Sequence, residues 1–204
     1  MKENINEPTL FDEKIFFQES QLSHNTSIDV ANALTDFSKN KRDSNIEKCQ
    51  LRNLETIVNN KRLEFSHISL QLKETKKHGH RFYLDRKGKI CERTYNMYNP
   101  VYDSKTFDAY LDIGYQDKVY TLYFVLKGAQ NEGGHQGNVV EEVEIYTNLM
   151  NMNQDENTFF CFILDGTFLE KNTKYIDKSK KYFISNSETV KEKINNFIKT
   201  IING

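Results

Sequence analysis

The chain has 204 residues, of which 37% are hydrophobic and 28% are charged, and its formal net charge is −1 at pH 7. This length predicts one domain with its own core, and the 14 phenylalanines and 11 tyrosines argue against a wholly disordered chain. The near-neutral charge excludes a uniformly basic nucleic-acid-binding surface but is compatible with a local basic patch.

The cysteines and the N-terminus bear on the compartment. Cys49, Cys91 and Cys161 stand far apart, without a C-x-x-C motif or a paired Cys/His spacing. This pattern disfavours a structural zinc site and is typical of a reducing compartment. The N-terminus is polar, and no stretch approaches the roughly 20 apolar residues of a membrane span. We therefore expect a cytoplasmic protein with no membrane-embedded part.

The first third of the chain predicts helices. Residues 1–26 show little periodicity, whereas residues 27–38 space their apolar side chains as an amphipathic helix does. A charged connector is expected at residues 39–45, and a second helix over residues 44–63. Residues 64–72 alternate apolar and polar side chains with one slip, which fits either a strand or an extension of that helix.

The middle of the chain predicts two antiparallel hairpins. The first joins residues 81–84 to residues 90–93 through a polar turn that contains a glycine. The second is the clearest signal in the sequence: two β-rich runs, residues 107–113 and 118–126, flank a short connection that begins with a glycine.

The last third predicts a helix, a buried strand and a final helix. Residues 128–138 hold four glycines and form a loop, and residues 139–150 follow with helical spacing. Residues 159–164 are continuously apolar, as expected for a strand covered on both faces. A capping box, Ser185-x-x-Glu188, predicts the start of the last helix. Together these elements indicate an α/β (α+β-like) fold, in which a central mixed sheet with an antiparallel hairpin is flanked by helices.

The second hairpin brings an acid and a lysine to one end of the sheet. Alternate side chains of a strand share a face, so Lys127 shares a face with Val125, and Asp108 shares one with Asp112. Because the hairpin folds back on itself, Asp108 comes within reach of residues 123–127. An acid and a lysine on neighbouring strands are also typical of a surface ion pair that contributes little to stability.

The order of these features resembles the core of the PD-(D/E)xK nucleases. It consists of Phe107-Asp108, a hairpin, Val125-Leu126-Lys127, a glycine-rich loop, a helix and a buried strand. The spacing and the loop are similar to those of the cleavage domain of a type IIS restriction enzyme, and the likeness covers roughly residues 104–170. The resemblance implies one restriction-endonuclease-like domain over residues 1–204, with a mostly helical part at 1–63 and the nuclease core at 64–204.

The resemblance also implies an activity. A type II restriction enzyme hydrolyses both strands of a specific site in double-stranded DNA with Mg²⁺, as a homodimer or with a partner subunit. In this chain Asp108 would bind the metal, and Lys127 would position the attacking water and offset phosphate charge. Glu55, on the second predicted helix, is the candidate for an accessory metal ligand, with Glu47 on the same helix.

Val125 departs from the family pattern, which has Asp or Glu at this position and thus a second metal ligand. Three explanations stay open. The acid has moved to the following helix, where Glu141 stands 14 residues after Lys127 with Glu142 beside it. Alternatively, the chain is a natural pseudo-nuclease that binds DNA or a catalytic partner, or valine replaces the acid of an active parent.

Four polar residues are candidates for DNA contacts. Gln130, His135 and Gln136 belong to the glycine-rich loop beside the predicted site, and a glutamine can pair bidentately with adenine. Arg81 follows a His-x-His sequence and can contact phosphate. Ordinary loop polarity explains these residues equally well, and the near-neutral charge also fits a protein–protein interaction domain unrelated to nucleic acid.

Overall fold

The structure, a computed structural model, describes residues 39–65, 67–75, 81–92, 105–128, 136–166, 171 and 179–203. Its helices are α1 (Lys39–Glu64), α2 (Gln136–Met152) and α3 (Val190–Asn203). Its strands are β1 (Ile68–Glu74), β2 (Phe82–Leu84), β3 (Ile90–Glu92), β4 (Ala109–Tyr115), β5 (Lys118–Gly128), β6 (Thr158–Asp165) and β7 (Tyr182–Ser185). None of these helices is long and apolar enough to cross a membrane.

Five strands form a mixed sheet in the order β1-β4-β5-β6-β7. Strands β1, β4 and β5 are antiparallel neighbours, whereas β6 and β7 run parallel to β5. The predicted mixed sheet with an antiparallel hairpin flanked by helices is therefore confirmed. The shorter predicted hairpin is also present, because β2 and β3 pair antiparallel as a separate two-stranded sheet.

Helices cover both faces of the five-stranded sheet. One apolar cluster joins the sheet to α1 and α3 through residues such as Leu54, Leu111 and Ile194. The other joins it to α2 and the β2–β3 hairpin through residues such as Tyr146 and Leu84. Strand β6 lies between the two clusters, which explains why the sequence 159–164 is apolar without alternation.

At the N-terminal side, one boundary differs from the sequence prediction, and the structure fixes another that the sequence left open. Residues 39–45, expected as a connector, are instead the first turns of α1; the segment contains no glycine or proline that would interrupt the helix. The ambiguous residues 64–72 divide between the end of α1 at Glu64 and the start of β1 at Ile68. The helix predicted over residues 27–38 lies outside the described residues.

The cap of α3 falls one residue later than predicted. Asn186 Oδ1 accepts the backbone N–H of Thr189 at 2.9 Å, which makes Asn186 the capping residue. Ser185, predicted for that role, still belongs to β7 and pairs with Ile163 of β6. The prediction of a capping box at Ser185-x-x-Glu188 is therefore wrong, because Ser185 still belongs to the sheet.

Candidate functional site

Lys127 is the penultimate residue of β5, and its side chain pairs with an acid on α2. Its Nζ lies 3.2 Å from Glu142 Oε1, and the two side chains are only 19% and 13% exposed. This ion pair is more buried than an ordinary surface pair, so solvent screens it less.

The segment that carries Asp108 is fixed by its backbone. Asp108 N–H donates to Phe124 O at 3.0 Å, and Thr75 N–H donates to Asp108 O at 3.1 Å. The Thr75 hydroxyl donates to Phe107 O at 2.7 Å, and Phe107 N–H donates to Phe82 O at 2.9 Å. Strands β1, β2 and β5 thus hold the residues around Asp108 in place.

The carboxylate of Asp108 is directed toward the strand that carries Lys127. Its Oδ2 accepts the backbone N–H of Leu126 at 2.9 Å, in the manner of one more rung of the β4–β5 ladder. Leu126 immediately precedes Lys127, so this hydrogen bond places an acid beside the lysine. The sequence prediction that Asp108 and the 123–127 segment meet agrees with this geometry.

Three carboxylates keep Lys127 charged. Burial alone would lower the pKa of Lys127, but the negative charges of Glu142, Asp108 and Glu47 outweigh it and leave that pKa raised. The ammonium group is therefore protonated throughout the neutral pH range. In this state it can donate hydrogen bonds and neutralise an anion, but it cannot accept a proton.

Two of the acids near Lys127 differ from the ones that the sequence favoured on the same helices. Glu142 contacts Lys127, whereas Glu141 is exposed on the outer side of α2. On α1, Glu47 acts on Lys127 through its charge, whereas Glu55 is exposed two turns further along the helix. The geometry thus favours Glu142 over Glu141, and Glu47 over Glu55, as members of the site.

Gly128 allows α1 to approach this end of the sheet. A Cβ at position 128 would lie 2.6 Å from Cγ2 of Ile46, which is closer than two carbon atoms pack. With no side chain at this position, α1 packs directly against the end of β5 and brings Glu47 and Gln50 toward Lys127.

A buried polar network, which the sequence did not reveal, lies behind Lys127. Gln50 Nε2 lies 3.0 Å from the carbonyl oxygen of Lys127 and 2.6 Å from Asp165 Oδ2. Ser187 also donates to Asp165, through its N–H at 2.8 Å and its hydroxyl at 2.6 Å. Burial raises the pKa of Asp165 above its ordinary value despite these donors. The one feature of the sequence that could have indicated this network is Asp165, an aspartate at the end of a buried strand.

Lys105 is a second lysine at the site that the sequence did not indicate. Its Nζ lies 2.7 Å from Glu142 Oε2, and its side chain is 64% exposed. Its carbonyl oxygen accepts a 2.6 Å hydrogen bond from the hydroxyl of Tyr146, one turn beyond Glu142 on α2. Glu142 therefore lies between two ammonium groups, one buried and one open to solvent.

Val125 occupies the family's second acid position and belongs to the core. The side chain of Val125 is 1% exposed and lies in the apolar cluster beneath α2. In the sheet, Val125 pairs with Phe162 of β6. A carboxylate at this position would lose most of its contact with water among these apolar neighbours. Val125 contributes packing here and no ligand.

The predicted DNA contacts are only partly described. Gln130 and His135 lie outside the described residues, and Gln136 begins α2 with its side chain outside them. Arg81 is exposed immediately before β2, next to Phe82, whose carbonyl binds Phe107 N–H. Arg81 thus lies on the side of the molecule where Asp108 is held.

Two carboxylates near Lys127 are the groups at this site that could hold a divalent cation. In the described part of the chain, no three His, Cys, Asp or Glu side chains are grouped to hold one ion. Mg²⁺ commonly takes only one or two protein carboxylates and completes its coordination with water and substrate phosphate. Asp108 and Glu142, the two acids beside Lys127, are the residues that would hold such an ion.

No protein-family model, curated protein or solved structure matches the chain. What the protein does has therefore to be inferred from the geometry around Lys127.

Proposed function

We propose that the protein is a Mg²⁺-dependent endonuclease that cuts double-stranded DNA at a specific sequence, with Lys127 at the centre of its active site. The observation that carries this proposal is the convergence of Lys127, Asp108 and Glu142 from three elements at one end of the sheet. A largely buried lysine whose pKa is raised by the carboxylates gathered around it is typical of functional sites.

The connectivity supports the resemblance to the PD-(D/E)xK nucleases. Asp108 precedes β4, Lys127 ends β5, and α2 and the parallel strand β6 follow in the order that the resemblance requires. On this reading Glu142 replaces the acid that is missing at Val125. The sequence suggested that the acid had moved to Glu141 on the following helix. We infer that it moved to this helix, but to the adjacent residue, Glu142.

The chemistry assigned to each residue follows from its charge and its position. Asp108 and Glu142 would hold Mg²⁺, which polarises the phosphate and lowers the pKa of a bound water. Lys127 remains an ammonium group, so we assign it the orientation of the water and the neutralisation of phosphate charge. The hydrogen bonds around Asp108 hold its carboxylate in place before substrate arrives, which reduces the cost of forming the reactive arrangement.

Double-strand cutting requires two such sites, and two-fold symmetry is the simplest way to supply them. We therefore propose a homodimer, or a complex with a partner subunit, acting in the cytoplasm as a type II restriction enzyme.

The direct test is cleavage of DNA of mixed sequence. We expect wild-type protein with Mg²⁺ to convert a set of plasmids into discrete fragments, and EDTA to prevent this. Lys127→Gln and Asp108→Asn should lose cleavage by at least about 100-fold, because each removes a group placed at the reaction centre. Lys118→Gln, at the opposite end of β5, is the matched control and should cut normally. Failure of the wild type to bind or cut any of the DNA would contradict the proposal.

One observation favours a second candidate, an inactive nuclease-fold subunit that binds DNA or a catalytic partner. Both carboxylate oxygens of Glu142 face lysines, and Val125 supplies no ligand. Wild-type protein that binds DNA without cutting it would favour this candidate. Cutting by Val125→Glu alone would instead indicate that valine replaces the acid of an active parent.

A further inference from the structure

Glu142 is bracketed by two ammonium groups that lie on different parts of the chain. Lys127 approaches Oε1 at 3.2 Å from the end of β5, and Lys105 approaches Oε2 at 2.7 Å from the segment before Asp108. Two cations around one anion form an arrangement that another anion of similar size can enter once the first has left.

The main chain at both lysines is held independently of Glu142. The carbonyl of Lys105 is bound by Tyr146, and the carbonyl of Lys127 is bound by Gln50. Departure of the Glu142 carboxylate would therefore leave two ammonium groups near each other without their shared counter-ion. One would be nearly buried and the other exposed, so an incoming anion can be contacted from both sides.

We propose that Lys105 and Lys127 form a binding site for a backbone phosphate of DNA, and that Glu142 occupies this site in the ligand-free protein. This inference deepens the proposed function and rests on it. Phosphate oxygens accept charge-assisted hydrogen bonds as carboxylate oxygens do, and a phosphodiester carries the same single negative charge. Glu142 thus competes with substrate until its carboxylate turns to another cation.

A coupling between DNA and divalent cations follows from this competition. When Glu142 ligates a divalent cation, the two lysines lose the carboxylate that they share, and a phosphate can take its place between them. The cation and DNA should therefore each increase the affinity of the protein for the other, as linkage requires. Ca²⁺ serves as the probe, because binding can then be measured with little cleavage.

The first test measures affinity for a duplex oligonucleotide in EDTA. Glu142→Gln removes the competing charge and should bind roughly three- to ten-fold more tightly than wild type. Glu141→Gln removes the same charge from the adjacent, exposed residue and should bind as wild type does. Ca²⁺ should tighten binding by the wild type and by Glu141→Gln, but much less by Glu142→Gln. Equal affinities of the two variants in EDTA would overturn the inference.

The second test uses Lys105, whose exposed side chain can be replaced without disturbing the fold. Lys105→Gln should weaken binding and reduce the slope of log affinity against log salt by about one, as expected for loss of one phosphate contact. The effect of Lys105→Gln should be larger in the Glu142→Gln background, since the Glu142 carboxylate then no longer competes with phosphate for Lys105. Lys118→Gln is the control. An equal loss of DNA affinity in Lys105→Gln and Lys118→Gln would contradict the inference.

A third measurement separates this inference from the proposed nuclease activity. Inorganic phosphate is titrated into metal-free Glu142→Gln while the side-chain NMR signals of Lys105 and Lys127 are followed. Shifts of both signals without any DNA binding would show that the two lysines bind an anion, and would refute both DNA as its source and the endonuclease. Normal DNA cleavage by the wild type, with no phosphate-induced shift in the variant, would support the endonuclease and refute the anion site.

Discussion

Gln50, on α1, donates a hydrogen bond of 3.0 Å to the carbonyl oxygen of Lys127, on β5. The same amide nitrogen lies 3.1 Å from the carbonyl of Ile163 and 2.6 Å from the carboxylate of Asp165. One buried glutamine therefore fastens the first helix to the ends of two parallel strands, immediately behind the candidate active site.

Replacing Gln50 with leucine should destabilise the protein while keeping the volume of the side chain. The change removes the donor that two strand carbonyls share with the carboxyl group of Asp165, which keeps only its hydrogen bonds from Ser187. We therefore expect the free energy of unfolding to fall by about 1–3 kcal/mol. Urea unfolding measures this. Gln154→Leu is the control, because Gln154 is exposed and donates only to nearby Met152; it should shift stability by less than about 0.5 kcal/mol. Equal effects of the two changes would argue against the network.

Asp165 should make stability depend on pH in an unusual direction. Burial raises the pKa of Asp165, so the folded protein holds this proton more tightly than the unfolded chain does. Its contribution to stability is present in full below the unfolded pKa, near 3.8, and is lost as pH rises through the folded pKa.

The comparison with Asp165→Asn isolates this effect, since the other titrating groups are common to both proteins. We expect the stability of the wild type relative to the variant to fall as pH rises from about 4 and then to level off. Denaturant unfolding at a series of pH values gives the difference. A relative stability of the wild type that rises with pH would show that Asp165 is ionised more readily in the folded protein.

Thr75 should act on catalysis through Asp108. Its hydroxyl donates to the carbonyls of Phe107 and Asp108, so Thr75→Val keeps the shape of the side chain but frees this segment. We expect kcat to fall by roughly ten-fold with little change in KM, because a displaced Asp108 no longer matches the reactive geometry. Thr121→Val removes a hydroxyl that binds Asp112 and should leave kcat unchanged. Similar kinetics of the two variants would contradict a positioning role for Thr75.

Val125→Glu should lower stability rather than complete the active site. The side chain lies in the apolar cluster beneath α2, where an ionised carboxylate is costly, and we expect a loss of several kcal/mol or a strongly raised glutamate pKa. Val119→Glu, on an exposed position of the same strand, should be nearly neutral. Thermal unfolding compares the two. A stable Val125→Glu protein that cuts DNA faster than the wild type would show that valine fills a true acid position.

The parts of the fold that sequence could predict are those fixed by local patterning. The β4–β5 hairpin and the buried strand β6 follow from side-chain alternation and from a continuous apolar run. Asp108 and Lys127 flank that hairpin, so their approach to one another follows from chain geometry alone.

The acids of the site depend on tertiary packing and could not be chosen from the sequence. Glu141 and Glu142 point about 100° apart on a helix, so the choice depends on how α2 is rotated against the sheet. Glu47 and Glu55 point about 80° apart and lie about 12 Å apart along α1. The packing of Ile46 against Gly128 determines which end of α1 approaches Lys127. Gln50 and Lys105 meet the site through long-range contacts for which no local pattern exists.

The central claim is that Glu142 on α2 supplies the acid that β5 lacks. The most direct measurement is single-turnover cleavage of plasmid DNA with saturating Mg²⁺ by the wild type, Glu142→Gln and Glu141→Gln. We predict that Glu142→Gln loses at least about 100-fold in the cleavage rate while still binding DNA, and that Glu141→Gln cuts at the wild-type rate. Full cleavage by Glu142→Gln, or loss of cleavage by Glu141→Gln alone, would contradict the account.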